Sequence, residues 1–330
     1  MTEKIGFCCK YIDAAEKSVP QYNTKTTTMK WLRDNRDLAH SRLWSIAEHN
    51  AKSTFDIVSL VATWPEPLRM MRIGSDLLPG YTEPTWRAWW HEPERQQALA
   101  QLFAPIGDVA RAADVKLSFH PGQFCCIVSE REEVVHRSVE DLEYHADVAR
   151  WMGYGRKKLD FKINVHLSGR KGIAGFDYAW NLMSPELRNC LTLENDEYQS
   201  SIDDLLPLAD RVGIVLDIHH HFIQSGQYIE NNDPRITQVK DSWQGQRPTI
   251  HYSQSPEAYM WLFLDRRPTM EELMTVAPRG KLRSHSNFYS NKHINEWALS
   301  HLHWADIACE AKAKNLASER LYQQKLSPHA

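Results

Sequence analysis

Short apolar runs alternate with longer stretches of helical periodicity along this chain. Runs of about four to six apolar residues bounded by polar or turn residues read as buried β-strands. They fall at 5–8, 70–74, 115–120, 161–167, 191–194, 213–217, 249–252 and 306–310. Between them the pattern changes period. Residues 37–50 carry Leu38, Leu43, Ile46 and Ala47 at helical spacing. Residues 96–113 read as a helix bent at Pro105. Val135, Val139, Leu142, Ala146 and Ala149 form one stripe that stops before Gly153 and Gly155. Segments 202–211 and 270–276 are further helical candidates, and the run 55–62 fits helix or strand equally. Residues 79–95, rich in Pro, Trp and charge, read as a rim loop. Eight strands with helical segments between them predict an α/β fold, a TIM (β/α)8 barrel, as one domain over residues 1–330.

The strand ends add chemistry. His120, His166, Glu194, Asp217, His251 and Glu310 close or follow apolar runs, and His285 stands in a loop between two of them. A parallel barrel gathers all such ends on one rim. Imidazoles and carboxylates spread over nearly two hundred residues would therefore converge. A buried carboxylate is costly unless paired or metal-bound, so Glu194 and Asp217 at apolar strand ends point to cations. Asp217 also begins DIHHH, whose Asp-x-x-His spacing to His220 lets one strand end serve two neighbouring ions; three consecutive histidines also suit a solvated turn. The donor set is nitrogen and oxygen without thiolate, which suits Mn²⁺, Zn²⁺ or Fe. More than four protein ligands imply two or three divalent ions, and such clusters hydrolyse phosphodiesters.

Composition restricts the class. The chain has 330 residues, 42% apolar, with net charge −3. That excludes a globally basic nucleic-acid binder but leaves room for a local basic arc. Arg72, Arg170, Lys171, Arg283, Lys312 and Lys314 near strand ends or rim loops are its candidates. Trp86, Trp89 and Trp90 either stack on bases or cap the barrel. Phe124, after the Pro121–Gly122 turn, is a packed ring or a wedge between bases. The six cysteines form no CxxC pair, against a disulfide scaffold or zinc knuckle. With no visible signal peptide and no apolar run of about 18 residues, the expectation is a soluble, cytoplasmic protein without membrane contact.

Taken in order, several segments resemble the UV damage endonuclease family: SDLLP at 75–79, HPGQF at 120–124, VHLSG at 165–169, LENDE at 193–197, LDIHHH at 216–221, IHYS at 250–253, RSH at 283–285 and EAKAK at 310–314. The resemblance implies a TIM barrel related to endonuclease IV and a trinuclear site, commonly with Mn²⁺. It further implies incision of double-stranded damaged DNA immediately 5′ to the lesion, leaving a 3′-hydroxyl. Carried over, Glu194 bridges two ions and is the central catalytic ligand. His120 and His166 complete one position; Asp217, His251 and Glu310 complete the second; His220 and His285 bind the third. Gln123 and Phe124 probe the distorted duplex; from their own place near strand ends and rim loops, Arg283 and Lys312 are the further DNA-contact candidates.

Two departures stand out. Thr249 replaces a lysine that the family carboxylates beside the metals, and a threonine forms no carbamate. Phe7 and Tyr11 replace a Gly-Tyr and Asn pattern near the start, removing a hydroxyl and an amide expected at DNA. The leading expectation is a monomeric, metal-dependent DNA repair endonuclease, nucleoid-associated when bound to DNA. A multinuclear iron oxygenase on the same barrel and a catalytically weak damaged-DNA-binding protein are the alternatives.

Overall fold

A computed structural model describes residues 2–122 and 124–327. Eight parallel strands form a closed barrel in sequential order: β1 (Ile5–Cys9), β2 (Met70–Ile73), β3 (Lys116–Phe119), β4 (Lys162–His166), β5 (Leu191–Glu194), β6 (Gly213–Asp217), β7 (Thr249–Tyr252) and β8 (Asp306–Cys309). Closure is set by Phe7 opposite Cys309, pairing the first strand with the last. Alternate strand positions face outward under the helices and inward to the lumen. Outward positions such as Phe7, Phe119, Ile163, Leu193 and Leu216 are buried and apolar. Phe7 packs on Trp64 with ring centroids 5.7 Å apart.

The lumen is polar at both ends. Contacts between non-adjacent strands identify its residues: Lys116 of β3 pairs with Asp306 of β8, Arg72 of β2 with Glu310 beyond β8, and His120 beyond β3 with Glu194 of β5. A usual TIM lumen is filled by branched apolar side chains. Here the apolar cohesion lies instead in the layer between strands and helices.

Several predicted elements change. The undecided run at 55–62 is the second half of one long helix, Arg36–Ala62, which buries residues from Ala39 to Val61. The expected rim loop contains the helix Pro84–Trp90, started by Pro84 after Glu83, whose carboxylate accepts from the Thr85 amide. Trp86 and Trp90 are consequently buried, and Trp89 stacks on His40 at 4.6 Å. They pack against the outer helices, and Arg95 lies over the Trp89 ring at 3.9 Å. The 202–211 segment is a single turn, Ile202–Leu205, followed by a 3-10 turn, Leu206–Leu208.

Gly107 shows how closely the outer helices pack. It lies in the helix Pro93–Ala112, and a Cβ there would stand 1.8 Å from the Met152 carbonyl oxygen. Backbone cannot yield as a side-chain tip can. Gly107→Ala is expected to destabilise the protein by about 3 kcal/mol, the upper end of ordinary overpacking. Urea unfolding of the two proteins reads this directly.

Candidate metal centre

The C-terminal rim brings six strand ends together. His166, Glu194 and Asp217 are the last residues of β4, β5 and β6; His251 lies within β7; His120 and Glu310 directly follow β3 and β8. Glu194 is at their centre and fully buried. One carboxylate oxygen lies 3.1 Å from His120 Nε2 and accepts from Asn164 Nδ2. The other lies 2.9 Å from His251 Nδ1. Two groups result: His120, His166 and Glu194; and Glu194, Asp217, His251 and Glu310. Within each group one donor atom per residue lies within 4.8 Å of all the others. Glu194 belongs to both.

The donors suit divalent cations. All are imidazole or carboxylate, and Cys8, Cys9, Cys125, Cys126, Cys190 and Cys309 belong to neither group. His166 Nδ1 and Asp217 Oδ2 are buried without a hydrogen-bond partner among the described residues, which suits a role as ligand atoms. Three carboxylates buried this closely would repel one another without positive charge between them.

The electrostatics report the same crowding. Burial opposes the charge of Glu194, yet the imidazoles of His251 and His166 and hydrogen bonds from His120 and His251 hold its carboxyl well below the usual range. Burial also opposes Glu310, which the Arg72 guanidinium and His251 hold well below that range. Asp217 differs: its attractive neighbours do not outweigh burial. Burial pushes its carboxyl up, and Glu194 and Glu310 add to that against the pull of His220. Against burial, Asp217, Glu194 and Glu197 push His220 up to about 9. Burial lowers His166.

The remaining expected residues are placed as follows. His220 lies 3.7 Å from Glu194 and 3.6 Å from Asp217, measured from Nδ1, with its ring 6.4 Å from that of His285. His285 Nε2 is 3.9 Å from Glu310. Neither joins the two groups. The three histidines are no solvated turn: they open the helix Ile218–Ser225, capped by Asp217, and all three are buried. Thr249 is buried with its hydroxyl unpartnered, two residues before His251 on the same strand face. Phe7 faces the outer apolar layer and is 1% exposed. Tyr11 packs edge-on against Tyr22 at 5.1 Å.

At the rim surface Phe124 is 85% exposed and Lys312 is exposed. Gln123 lies outside the described residues. Arg283 pairs with Glu197 at 2.8 Å and lies over the Tyr198 ring. Arg72 leaves the expected basic arc, because it is inside the mouth and committed to Glu310. Asn164 and Glu197 complete the surroundings and were not singled out from sequence. Asn164 had a signal: it precedes His166 by two within an apolar strand, and so shares its face. Glu197, whose Oε2 is 3.6 Å from His220 Nε2, lies in a loop without such periodicity.

Comparison with known proteins adds the following. A family profile described as UV-endonuclease UvdE matches residues 3–329. The UV-damage endonuclease of Neurospora crassa is 27% identical over 279 residues, covering 78% of this chain and 41% of that protein. The UV DNA damage endonuclease of Bacillus velezensis is 25% identical over 310 residues, covering 90% of this chain and 87% of that protein. The chain thus spans about two-fifths of the length of the fungal relatives it matches. Among solved structures, SacUVDE superposes with a TM-score of 0.76 at 20% identity, covering 99% of this chain and 100% of that one. Endonuclease IV from Thermus thermophilus gives 0.53 at 15% identity, covering 83% and 94%. These two similarities concern the fold.

Proposed function

The chain belongs to the UV-endonuclease UvdE family, and on that premise we propose that it is a metal-dependent endonuclease that incises double-stranded DNA immediately 5′ to UV-type damage. The observation that carries this reading is Glu194, one buried carboxylate common to two groups of imidazole and carboxylate donors. His120 and His166 would hold one ion with it, and Asp217, His251 and Glu310 a second; His220 and His285 would hold a third more weakly. Bound there, divalent cations, Mn²⁺ first among the candidates, would polarise a phosphoryl oxygen and make water more acidic.

The protein's own part is positioning. Asn164 fixes one oxygen of Glu194, so the carboxylate cannot rotate away from either group. Arg72 holds Glu310 ionised and pointed into the mouth. Lys312 and Arg283 at the rim would take flanking DNA phosphates, with local charge outweighing the net −3. Phe124 would enter the weakened stack beside the lesion, its exposure being unusual for so large an apolar ring. Phe124→Ala is expected to weaken binding to UV-irradiated duplex about tenfold, as the loss of one stacking contact does. Its melting temperature should match that of the parent protein. Fluorescence anisotropy on irradiated and unirradiated duplexes checks this; equal binding by both proteins would remove Phe124 from the interface.

The test of the function is incision of UV-irradiated supercoiled plasmid with Mn²⁺ present, followed by mapping of the new ends. Breaks with a 3′-hydroxyl directly 5′ to the lesion are expected. Intact plasmid with tight binding would leave a damage-binding protein, and intact plasmid with oxygen consumption by an iron-loaded protein would favour an oxygenase.

A further inference from the structure

The opposite end of the barrel holds a second polar centre that the rim chemistry does not use. Lys116, Lys162 and Asp306 open β3, β4 and β8, and Lys4 and Arg247 stand just before β1 and β7. With Trp243 they line a cavity of about 300 Å³. The positive charges outnumber their acceptors. The Asp306 carboxylate accepts from Lys4 N at 2.9 Å, Lys116 Nζ at 2.6 Å and Arg247 Nε at 2.7 Å. The Lys4 ammonium has its own partner in Asp114 at 2.9 Å.

Lys162 has no such partner. It is 7% exposed, and among the described residues its amine meets no carboxylate or carbonyl within hydrogen-bond distance. Its neighbours are the Lys116 ammonium, the Asp306 carboxylate, which acts on it more weakly, and the Trp243 ring, whose centroid is 5.8 Å away. That separation is at the outer limit of a useful cation–π contact. A buried ammonium left this way is costly. Burial and the Lys116 charge accordingly push the amine well below the usual lysine range.

We propose that this cavity binds a small phosphate oxyanion, free or carried on a compact metabolite, between Lys162 and Lys116 with Arg247 beside them. Such an anion gives Lys162 an acceptor and offsets the excess of Lys4, Arg111, Lys116, Lys162 and Arg247 over Asp114, Asp160 and Asp306 around the cavity. Lysines bind phosphate as point charges and need no fork geometry, which suits two ammonium groups converging on one space. The cavity exceeds the needs of bare phosphate, so a short phosphomonoester also fits.

Thermal unfolding in inorganic phosphate, against sodium chloride at equal ionic strength, tests the site. The protein as isolated should show a saturable rise in melting temperature of about 2–4 °C. Lys162→Met should abolish the rise, and Glu194→Ala should keep it. A rise that survives in Lys162→Met, a rise lost in Glu194→Ala, or no rise at all would overturn the proposal. Nitrogen NMR of the lysine side chains serves if Lys162→Met proves misfolded. Phosphate should shift the Lys162 signal saturably, and an unchanged signal would be contrary. Glycerol phosphate in a parallel series separates the two sources, because the true ligand saturates at the lower concentration.

Discussion

Glu194→Ala is expected to reduce incision of irradiated DNA by at least about a thousandfold. Loss of a residue that merely supports a ligand costs 10–100-fold in metal affinity or activity. Glu194 is a member of both donor groups, so its removal damages both at once. The substitution also has a stability effect in metal-free protein. It leaves the His120 and His251 rings and the Asn164 amide without the carboxylate they contact, so melting temperature should fall by a few degrees. Added Mn²⁺ should raise the melting temperature of the parent by several degrees through preferential binding to the folded state, and that of the variant by much less. Scans of both proteins with and without Mn²⁺, beside the plasmid assay, separate a lost ligand from a lost fold. Incision that persists in Glu194→Ala would place the chemistry elsewhere.

Asp306→Asn is expected to cost about 4 kcal/mol, or roughly 10 °C in melting temperature. Asp306 is the one carboxylate that Lys116 and Arg247 share at the base of the lumen. An amide of the same shape would leave those two cations facing Lys162 uncompensated. Breaking a buried pair from one side costs more than the pair itself contributes. The defect should also depend on pH. Burial opposes the Asp306 charge, but the Lys116 ammonium and the hydrogen bonds from Lys116 and Arg247 hold its carboxyl below the usual range. A carboxyl depressed in the folded protein contributes fully above its unfolded value, about 4, and loses that contribution as pH falls through the native value. The gap between parent and variant should therefore be full at pH 7 and narrow in acid. A gap that widens in acid would contradict the assignment.

The strands were the most legible part of the chain. β5, β6 and β7 begin and end where their apolar runs do, because each is buried on both sides and bounded by polar or turn residues. Strand alternation then put the six strand-end donors on one rim. Helices were harder. Arg36–Ala62 buries one stripe from Ala39 to Val61, but its last two turns also carry Phe55 and Leu60 off that stripe, so residues 55–62 alone showed no single face. Trp86 and Trp90 are four apart and bury the same face of a short helix, a spacing masked by the surrounding Pro and charge. The base of the barrel was not legible. Lys116, Lys162 and Asp306 each begin a strand and read as ordinary solvent boundaries. Only closure of the sheet turns them inward and into contact. The same closure put Arg72 against Glu310 and not in a phosphate arc.

The convergence of distant donors into a cation-holding cluster is tested most directly by elemental analysis of the purified protein that incises irradiated DNA. About two to three divalent ions per chain are predicted, falling to less than one in Glu194→Ala, with incision lost on chelation and restored by Mn²⁺. Full incision by protein carrying no divalent metal after exhaustive chelation would contradict it.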